Sequence, residues 1–254
     1  MDMPRNQFKA KLKAGQAQTG LWVSLAGAYA AEIVAGSGFD WLLLDTEHSP
    51  GGVDSVLAQL QAVATYPVSP VVRPAANDTV LIKRYLDIGA QTLLIPYVQT
   101  ADEARSAVEA MRYPPRGVRG VGGTTRATRF GRVAGYAQKA EQELCLLVQI
   151  ETGEALERLE EIACVDGVDG VFIGPNDLAA SLGHLGELKH PKVIAAIEDA
   201  LNRLKAIGKP AGILTPDPDF IARCAALGAT FTAVGSDIGI LARGTEALAA
   251  KYKT

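Results

Sequence analysis

Trp41-Leu42-Leu43-Leu44-Asp45-Thr46-Glu47-His48 is an apolar run that stops in three proton- or metal-handling side chains. Nothing polar alternates through Leu42 to Leu44, so the run reads as a strand buried on both faces, as in a parallel sheet covered by helices. A strand laid down for stability alone would end in a turn residue. Ending in Asp45, Glu47 and His48 points to chemistry at the C-terminal end of the strand.

Outward from this stretch, the same rhythm recurs. Strands are expected at Gly20–Leu25, Trp41–Asp45, Pro70–Arg73, Thr92–Ile95, Leu144–Glu151, Gly170–Ile173, Ala211–Leu214 and Phe231–Gly235. Alanine-rich segments of helical spacing separate most of them, for example Val53–Val63, Ala101–Met111 and Pro191–Ile207. Several helices run into a glycine before the next strand (Gly36, Gly89, Gly208, Gly228), which suits a left-handed C-cap. Eight β/α units predict a closed (β/α)₈ TIM barrel, an α/β fold occupying residues 1–254 as a single domain. An open, doubly wound sheet is the competing reading. It would carry a Gly-rich turn directly after its first strand, whereas here the chain continues Ala26-Gly27-Ala28-Tyr29.

The bulk properties fit such a fold and exclude other classes. The 254 residues are 48% hydrophobic, enough for one large core, and the net charge of −3 gives no electrostatic case for nucleic acid or an anionic membrane surface. No apolar run reaches the roughly 20 residues of a membrane span. Met1–Lys13 is polar and basic, without the apolar stretch of a secretory signal. Cys145, Cys164 and Cys224 are widely spaced in apolar stretches, which predicts buried thiols in a reducing cytoplasm. The Pro-, Gly- and Arg-rich stretch 112–132 interrupts the β/α rhythm between the fourth and fifth strands. It reads either as an anion-binding lid or as a subunit-contact loop, since arginine is enriched at interfaces.

A barrel of this kind carries its active site at the C-terminal ends of its strands. The second strand delivers Asp45, Glu47 and His48, the third Arg73, the fifth Gln149 and Glu151, and the sixth Asn176 and Asp177. Glu151 and Asp177, two carboxylates without a thiolate or imidazole partner, suit a hard cation such as Mg²⁺ or Mn²⁺. Asp177 also fits a helix N-cap in Pro175-Asn176-Asp177-Leu178. His48 is the best general acid or base, because His184 and His190 lie in a polar, Gly-rich connection that favours a solvated role. Arg73 suits a carboxylate or a developing oxyanion, or a rim salt bridge. Trp22 and Leu214 lie near strand ends where they shape the pocket or simply pack. Every lysine falls on an expected helix, connection or terminus, so Schiff-base chemistry is not expected.

With these residues in place, the chain resembles the class II, metal-dependent pyruvate aldolases of the 4-hydroxy-2-oxoheptanedioate aldolase (HpcH/HpaI) type. The resemblance rests on Gly38-Phe39-Asp40-Trp41 running into Asp45-Thr46-Glu47-His48, then Val72-Arg73-Pro74, Tyr113-Pro114-Pro115 with Arg119-Gly120, Gln149-Ile150-Glu151-Thr152, and Gly170 to Pro175 before Asp177. It covers essentially the whole chain. It implies a divalent metal ion (Mg²⁺, Mn²⁺ or Co²⁺) on Glu151 and Asp177, no organic cofactor, and pyruvate and an aldehyde such as succinic semialdehyde as small-molecule partners. Gln149, Asn176 and Leu214 are then substrate contacts, His48 the base and Arg73 the stabiliser of the enolate. Asp87 matches the acid that the family pairs with its histidine. Asp87 ends a helix that leads into a strand, on the face opposite His48, so it is expected to reach His48 of a neighbouring subunit in a homo-hexamer, with Asp45 as the within-chain alternative. Thr46 stands where relatives often have glycine, either narrowing the site or making a hydroxyl contact. The expected reaction is reversible aldol cleavage of 4-hydroxy-2-oxo acids, in the setting of aromatic catabolism. A 2-dehydro-3-deoxyglucarate-type sugar-acid aldolase, an oxaloacetate decarboxylase, an acyl-CoA lyase and a non-catalytic barrel are the alternatives.

Overall fold

A computed structural model describes residues 1–253. Its centre is a closed barrel of eight parallel strands in sequence order: β1 (Gln18–Val23), β2 (Trp41–Asp45), β3 (Ser69–Arg73), β4 (Thr92–Ile95), β5 (Cys145–Ile150), β6 (Gly170–Ile173), β7 (Ala211–Leu214) and β8 (Ala229–Ser236). The closed (β/α)₈ barrel is therefore present and the open sheet is not. β1 begins two residues earlier than expected because it closes the barrel, pairing Gln18 with Phe231 of β8.

Each strand is apolar on both faces for a simple reason. Odd-numbered residues of β2, Trp41, Leu43 and Asp45, face the interior, while Leu42 and Leu44 pack outward with the helix layer. The interior is filled by Trp22, Trp41, Leu43, Val71, Leu94, Leu147, Phe172 and Phe231. Gly20 makes room for this filling, since a Cβ there would overlap the Trp41 ring.

Below the barrel lies an element absent from the strand-and-helix expectation, the helix Gln7–Lys13. Asn6 caps it by accepting from Lys9 N, and the Asn6 amide donates to Thr92 Oγ1 and Glu143 O. Its apolar stripe, Phe8 and Leu12 at i and i+4, inserts beneath the strands, where Phe8 meets Trp41 and Phe231 edge to face. The polar, basic start of the chain thus serves as the bottom plug.

Three other expectations are revised by the tertiary structure. The helix Ala28–Ala35 ends on Gly36 with φ −82°, and the left-handed residue is Gly38, two positions on; Gly89, Gly208 and Gly228 are left-handed as anticipated. Cys164 is exposed, whereas Cys145 and Cys224 are buried. Residues 112–132 follow the helix Ala101–Met111, which returns from the top of β4, so they lie at the N-terminal end of the barrel. They cannot be a lid over this chain's own strand ends. The last helix, Asp237–Ala250, buries only Asp237 and leaves Ile238, Ile240, Leu241 and Leu248 exposed. Among the described residues, no helix is long and apolar enough to cross a membrane.

Candidate active site

The C-terminal ends of β1, β2, β3, β5 and β6 bring one arginine, four carboxylates and an amide to a single rim. β2 and β3 pair Asp45 with Arg73 in register, and the side chains follow the backbone. Arg73 Nε and Nη2 each donate to an Asp45 carboxylate oxygen at 2.8 Å, a bidentate pair almost wholly out of solvent. Burial alone would raise the Asp45 pKa, but the hydrogen bonds and charge of Arg73, with Glu47 N and Trp22 Nε1 also donating, hold it below the ordinary carboxylate value. The Arg73 guanidinium is also stacked over the Trp22 ring, 5.0 Å from its centroid. Asp45 is therefore not the orienter of His48. Both its oxygens are committed to Arg73, which it fixes in one orientation.

Glu47 sits beside the same arginine. Arg73 Nη1 lies 2.6 Å from Glu47 Oε2 but off the N–H axis, leaving that buried oxygen without a directed hydrogen bond. Burial raises the Glu47 pKa, Asp45 and Asp177 raise it further, and Arg73 and His48 oppose them without winning. His48 projects toward solvent, its side chain 67% exposed, with Nε2 3.9 Å from Glu47 Oε2. Glu47, expected from the sequence to hold metal-bound water together with Asp45, is the acid of its own chain that lies beside His48.

Across the rim, Glu151 follows β5. Its environment is less compensated. Tyr97 N donates to Oε1 at 2.9 Å, with Tyr97 held at φ +54°, a left-handed conformation unusual for a side chain of that size. The Gln149 amide nitrogen donates to Oε2, and Gln149 Oε1 is buried without a partner. Burial pushes the Glu151 pKa to about 7, with the charges of Glu47 and Asp177 adding to the rise. The register of β5 with β6 puts Gly174 beside Glu151, and a Cβ at Gly174 would sit 2.5 Å from Glu151 Oε2. That glycine is a space kept open for the carboxylate.

Asp177 lies in the first turn of the helix Pro175–Ser181, whose N-cap is Gly174 and whose first residue is Pro175. The N-cap role considered for Asp177 thus falls to another residue, and its exposed carboxylate is free to face Glu47 and Glu151. Asn176, also exposed, precedes it on the same turn. Leu214, half-buried at the end of β7, packs against the interior cluster beneath the rim. Glu47 and Glu151, whose pKa values burial and the charge of Asp177 raise, Asp177 itself, a Glu47 oxygen without a directed hydrogen bond and an unpaired amide oxygen form an oxygen-rich, under-neutralised set. That set fits a hard divalent cation. No lysine stands on any barrel strand.

Two residues lie elsewhere. Asp87 ends the helix Thr79–Asp87 at the N-terminal face and pairs with the fully buried Arg119 at 2.8 Å. His48 belongs to the opposite end, so the two do not meet within one chain. Thr46 makes the hydroxyl contact instead of narrowing the site: its Oγ1 donates to Arg73 O at 2.7 Å and accepts from Tyr85 OH at 2.9 Å, bracing the β2 and β3 ends from behind. Trp22, Tyr97 and Gly174 acquire site functions that only their neighbours disclose. Trp22 alone had a sequence signal, an aromatic at a strand end.

Comparison with known proteins agrees with this architecture. Residues 18–243 match the family model described as HpcH/HpaI aldolase/citrate lyase. The chain is 70% identical to a pyruvate aldolase of Rhizobium etli over the full length of both chains. It is 57% identical to a 4-hydroxy-2-oxo-heptane-1,7-dioate aldolase of Klebsiella pneumoniae, across 97% of this chain and 94% of that protein. A crystal structure of an HpcH/HpaI aldolase/citrate lyase family protein from Burkholderia cenocepacia superposes with a TM-score of 0.94 at 39% identity, covering 98% of this chain and 100% of that one. With a match over nearly the whole barrel and the strand-end residues gathered at one rim, the chain belongs to the HpcH/HpaI aldolase/citrate lyase family and is a carbon–carbon lyase of the aldolase type.

Proposed function

We propose that the chain catalyses reversible aldol cleavage of 4-hydroxy-2-oxo acids to pyruvate and an aldehyde, with a divalent cation held by Glu151 and Asp177. The observation that carries this reading is the convergence of Glu47, Glu151 and Asp177, under-neutralised, opposite an arginine locked by Asp45. A dication there, Mg²⁺, Mn²⁺ or Co²⁺, supplies Lewis-acid stabilisation of negative charge on the 2-oxo oxygen.

The chain's own residues do the rest. Arg73, fixed by two hydrogen bonds to Asp45, stacked on Trp22 and with Nη1 beside Glu47, places a positive charge at the rim where negative charge develops as the C3–C4 bond breaks. Because Asp45 and Trp22 hold it before substrate arrives, little reorganisation is needed at the moment of reaction. His48, exposed to solvent and next to Glu47, takes the 4-hydroxyl proton. The electron pair of the broken bond then moves toward the 2-oxo group, and protonation at C3 completes pyruvate. Gln149 Oε1 offers an acceptor to the 4-hydroxyl, the first turn carrying Asn176 offers polar contacts to the oxo acid, and Leu214 an apolar wall to the aldehyde. The family relatives named for pyruvate and for 4-hydroxy-2-oxo-heptane-1,7-dioate support this substrate class.

Assembly completes the reading. The exposed Ile238, Ile240, Leu241 and Leu248 on the last helix are an apolar face that a second copy of the chain would cover. In such a homo-hexamer Asp87, held by Arg119 at the bottom face, reaches a neighbouring subunit's His48. Asp87→Asn is then expected to shift the basic or acidic limb of the pH–rate profile while leaving the fold intact; an unchanged profile counts against the cross-subunit pair. Buried Cys145 and Cys224 without disulfide partners suit a cytoplasmic setting.

The metal reading is tested by removal. EDTA-treated enzyme is expected to lose pyruvate release from several 4-hydroxy-2-oxo acids, and Mg²⁺, Mn²⁺ or Co²⁺ to restore it. Full activity in metal-free enzyme rejects the cation. Comparing oxaloacetate and sugar-derived oxo acids in the same assay ranks the substrate classes.

A further inference from the structure

The two histidines outside the active site are not solvated side chains standing alone. His184, Glu187 and His190 follow the helix that carries Asp177, and each ligand-type residue is one tight turn from the next. Glu187 N donates to His184 O at 2.9 Å, and His190 N donates to Glu187 O at 2.9 Å. Successive i to i+3 turns eclipse the side chains at i, i+3 and i+6, so the three project from one side of the loop. The glycines between and before them, Gly183 and Gly186, have φ of +81° and +79°, which lets so short a segment reverse twice.

The outcome is a convergent cluster. The His184 and His190 rings stack with centroids 3.5 Å apart and planes 17° from parallel. His184 Nδ1 and Glu187 Oε2 are 3.3 Å apart, and one donor atom from each of the three residues lies within 4.8 Å of the others. Ligand bonds of about 2.0–2.1 Å around a tetrahedral zinc place neighbouring donors roughly 3.3–3.4 Å apart. His190 Nδ1 accepts from Lys192 N at 3.3 Å as the cap of the next helix, which leaves its Nε2 as the nitrogen available to a ligand.

We propose that His184, Glu187 and His190 form a second metal site, for a borderline transition-metal dication such as Zn²⁺. Two imidazoles and a carboxylate select zinc, cobalt, nickel or copper over magnesium, opposite to the preference of the carboxylate rim. The fourth position is open to solvent, because Glu187 lies on the exposed side of the loop with 62% of its side chain accessible. A bound ion there ties the end of the Pro175–Ser181 helix to the start of the helix Pro191–Ala206, whose N-cap is His190.

The test uses the intact protein in saturating Mg²⁺, titrated with Zn²⁺ and followed by calorimetry. His184→Gln and Glu187→Gln, both on the surface loop, are expected to weaken one Zn²⁺-binding event by about tenfold or more. Stoichiometric Cu²⁺ on the unmutated chain should give an electron paramagnetic resonance spectrum with coupling to two imidazole nitrogens, lost in His184→Gln. Zinc affinity unchanged in both variants, or a copper spectrum without coupling to two nitrogens, overturns the site. Neither outcome bears on aldol activity, so the two readings stand or fall separately.

Discussion

The two ends of the barrel bury charge in opposite ways. At the N-terminal end, Lys9 is buried but compensated, close to Asp169 at 3.5 Å and hydrogen-bonded to Leu144 O, beneath an aromatic plug of Phe8, Trp41 and Phe231. At the C-terminal end, Glu47, Glu151 and Asp177 face one another and Arg73 already belongs to Asp45. One end gives each buried cation an acid, Lys9 to Asp169 and Arg119 to Asp87, and at the other the acids outnumber the one arginine. The difference teaches which polar burial is structural and which is kept for a ligand. Uncompensated charge in a packed fold is a cost that stability alone would have removed.

The sharpest way to break this contrast is to mutate one residue at each end. Glu151→Gln should lower kcat/KM by about 10³-fold or more, the scale of losing a charge-stabilising group, with no loss of thermal stability. Phe8→Ala should do the reverse, costing about 3–5 kcal/mol of stability through the cavity it leaves while turnover stays within about twofold. Chemical denaturation and steady-state kinetics on both variants check the pair. Comparable losses of activity from the two would erase the distinction.

The pH dependence of the metal-free protein probes the same deficit more gently. Glu151 titrates near pH 7 in the folded chain and near 4.5 when unfolded. Between those values the folded state holds a proton that the unfolded state has released, so stability falls as pH rises through the window. The loss amounts to about 3 kcal/mol by pH 8. Glu47 shifts in the same direction, while Asp45, lowered, acts only below the ordinary carboxylate range. Urea midpoints of EDTA-treated protein should therefore be higher at pH 5 than at pH 8, and Glu151→Gln should flatten the slope. A flat profile for the unmutated chain would contradict the crowding of acids.

The smallest expected effect comes from Gly174→Ala. Its added methyl would meet Glu151 Oε2 and, at 2.8 Å, Glu151 Cβ, displacing the carboxylate without altering any charge. Metal affinity should fall by about 10–100-fold, read by titration of activity against Mg²⁺, with unfolding nearly unchanged.

How much of this was legible beforehand differs by residue. Asp45, Glu47, Arg73, Gln149, Glu151 and Asp177 were visible because a polar group at the end of an apolar strand violates the local pattern, and a closed barrel turns such violations into neighbours. Asp45 was found but misassigned. Its partner is fixed by the one-to-one register of β2 with β3, which no local pattern encodes. Phe8 and Leu12 carried an i, i+4 signal too short to announce a helix, and only the open bottom of the barrel gives that helix a place. Gly174 and Tyr97 had no signal, since one works by lacking a side chain and the other through its backbone N–H. His184 and His190 looked solvated because they lie in a polar, Gly-rich connection. Two tight turns stack them.

The alternation of strand and helix, the eight-fold count and the residues at the strand ends were determined by the sequence itself, because burial on both faces and helical periodicity are local properties of the chain. Which carboxylate neutralises Arg73, which end of the barrel holds the 112–132 loop, and which acids are left without a partner were decided only by the tertiary structure. Those outcomes depend on distances between strands that the chain brings together at closure.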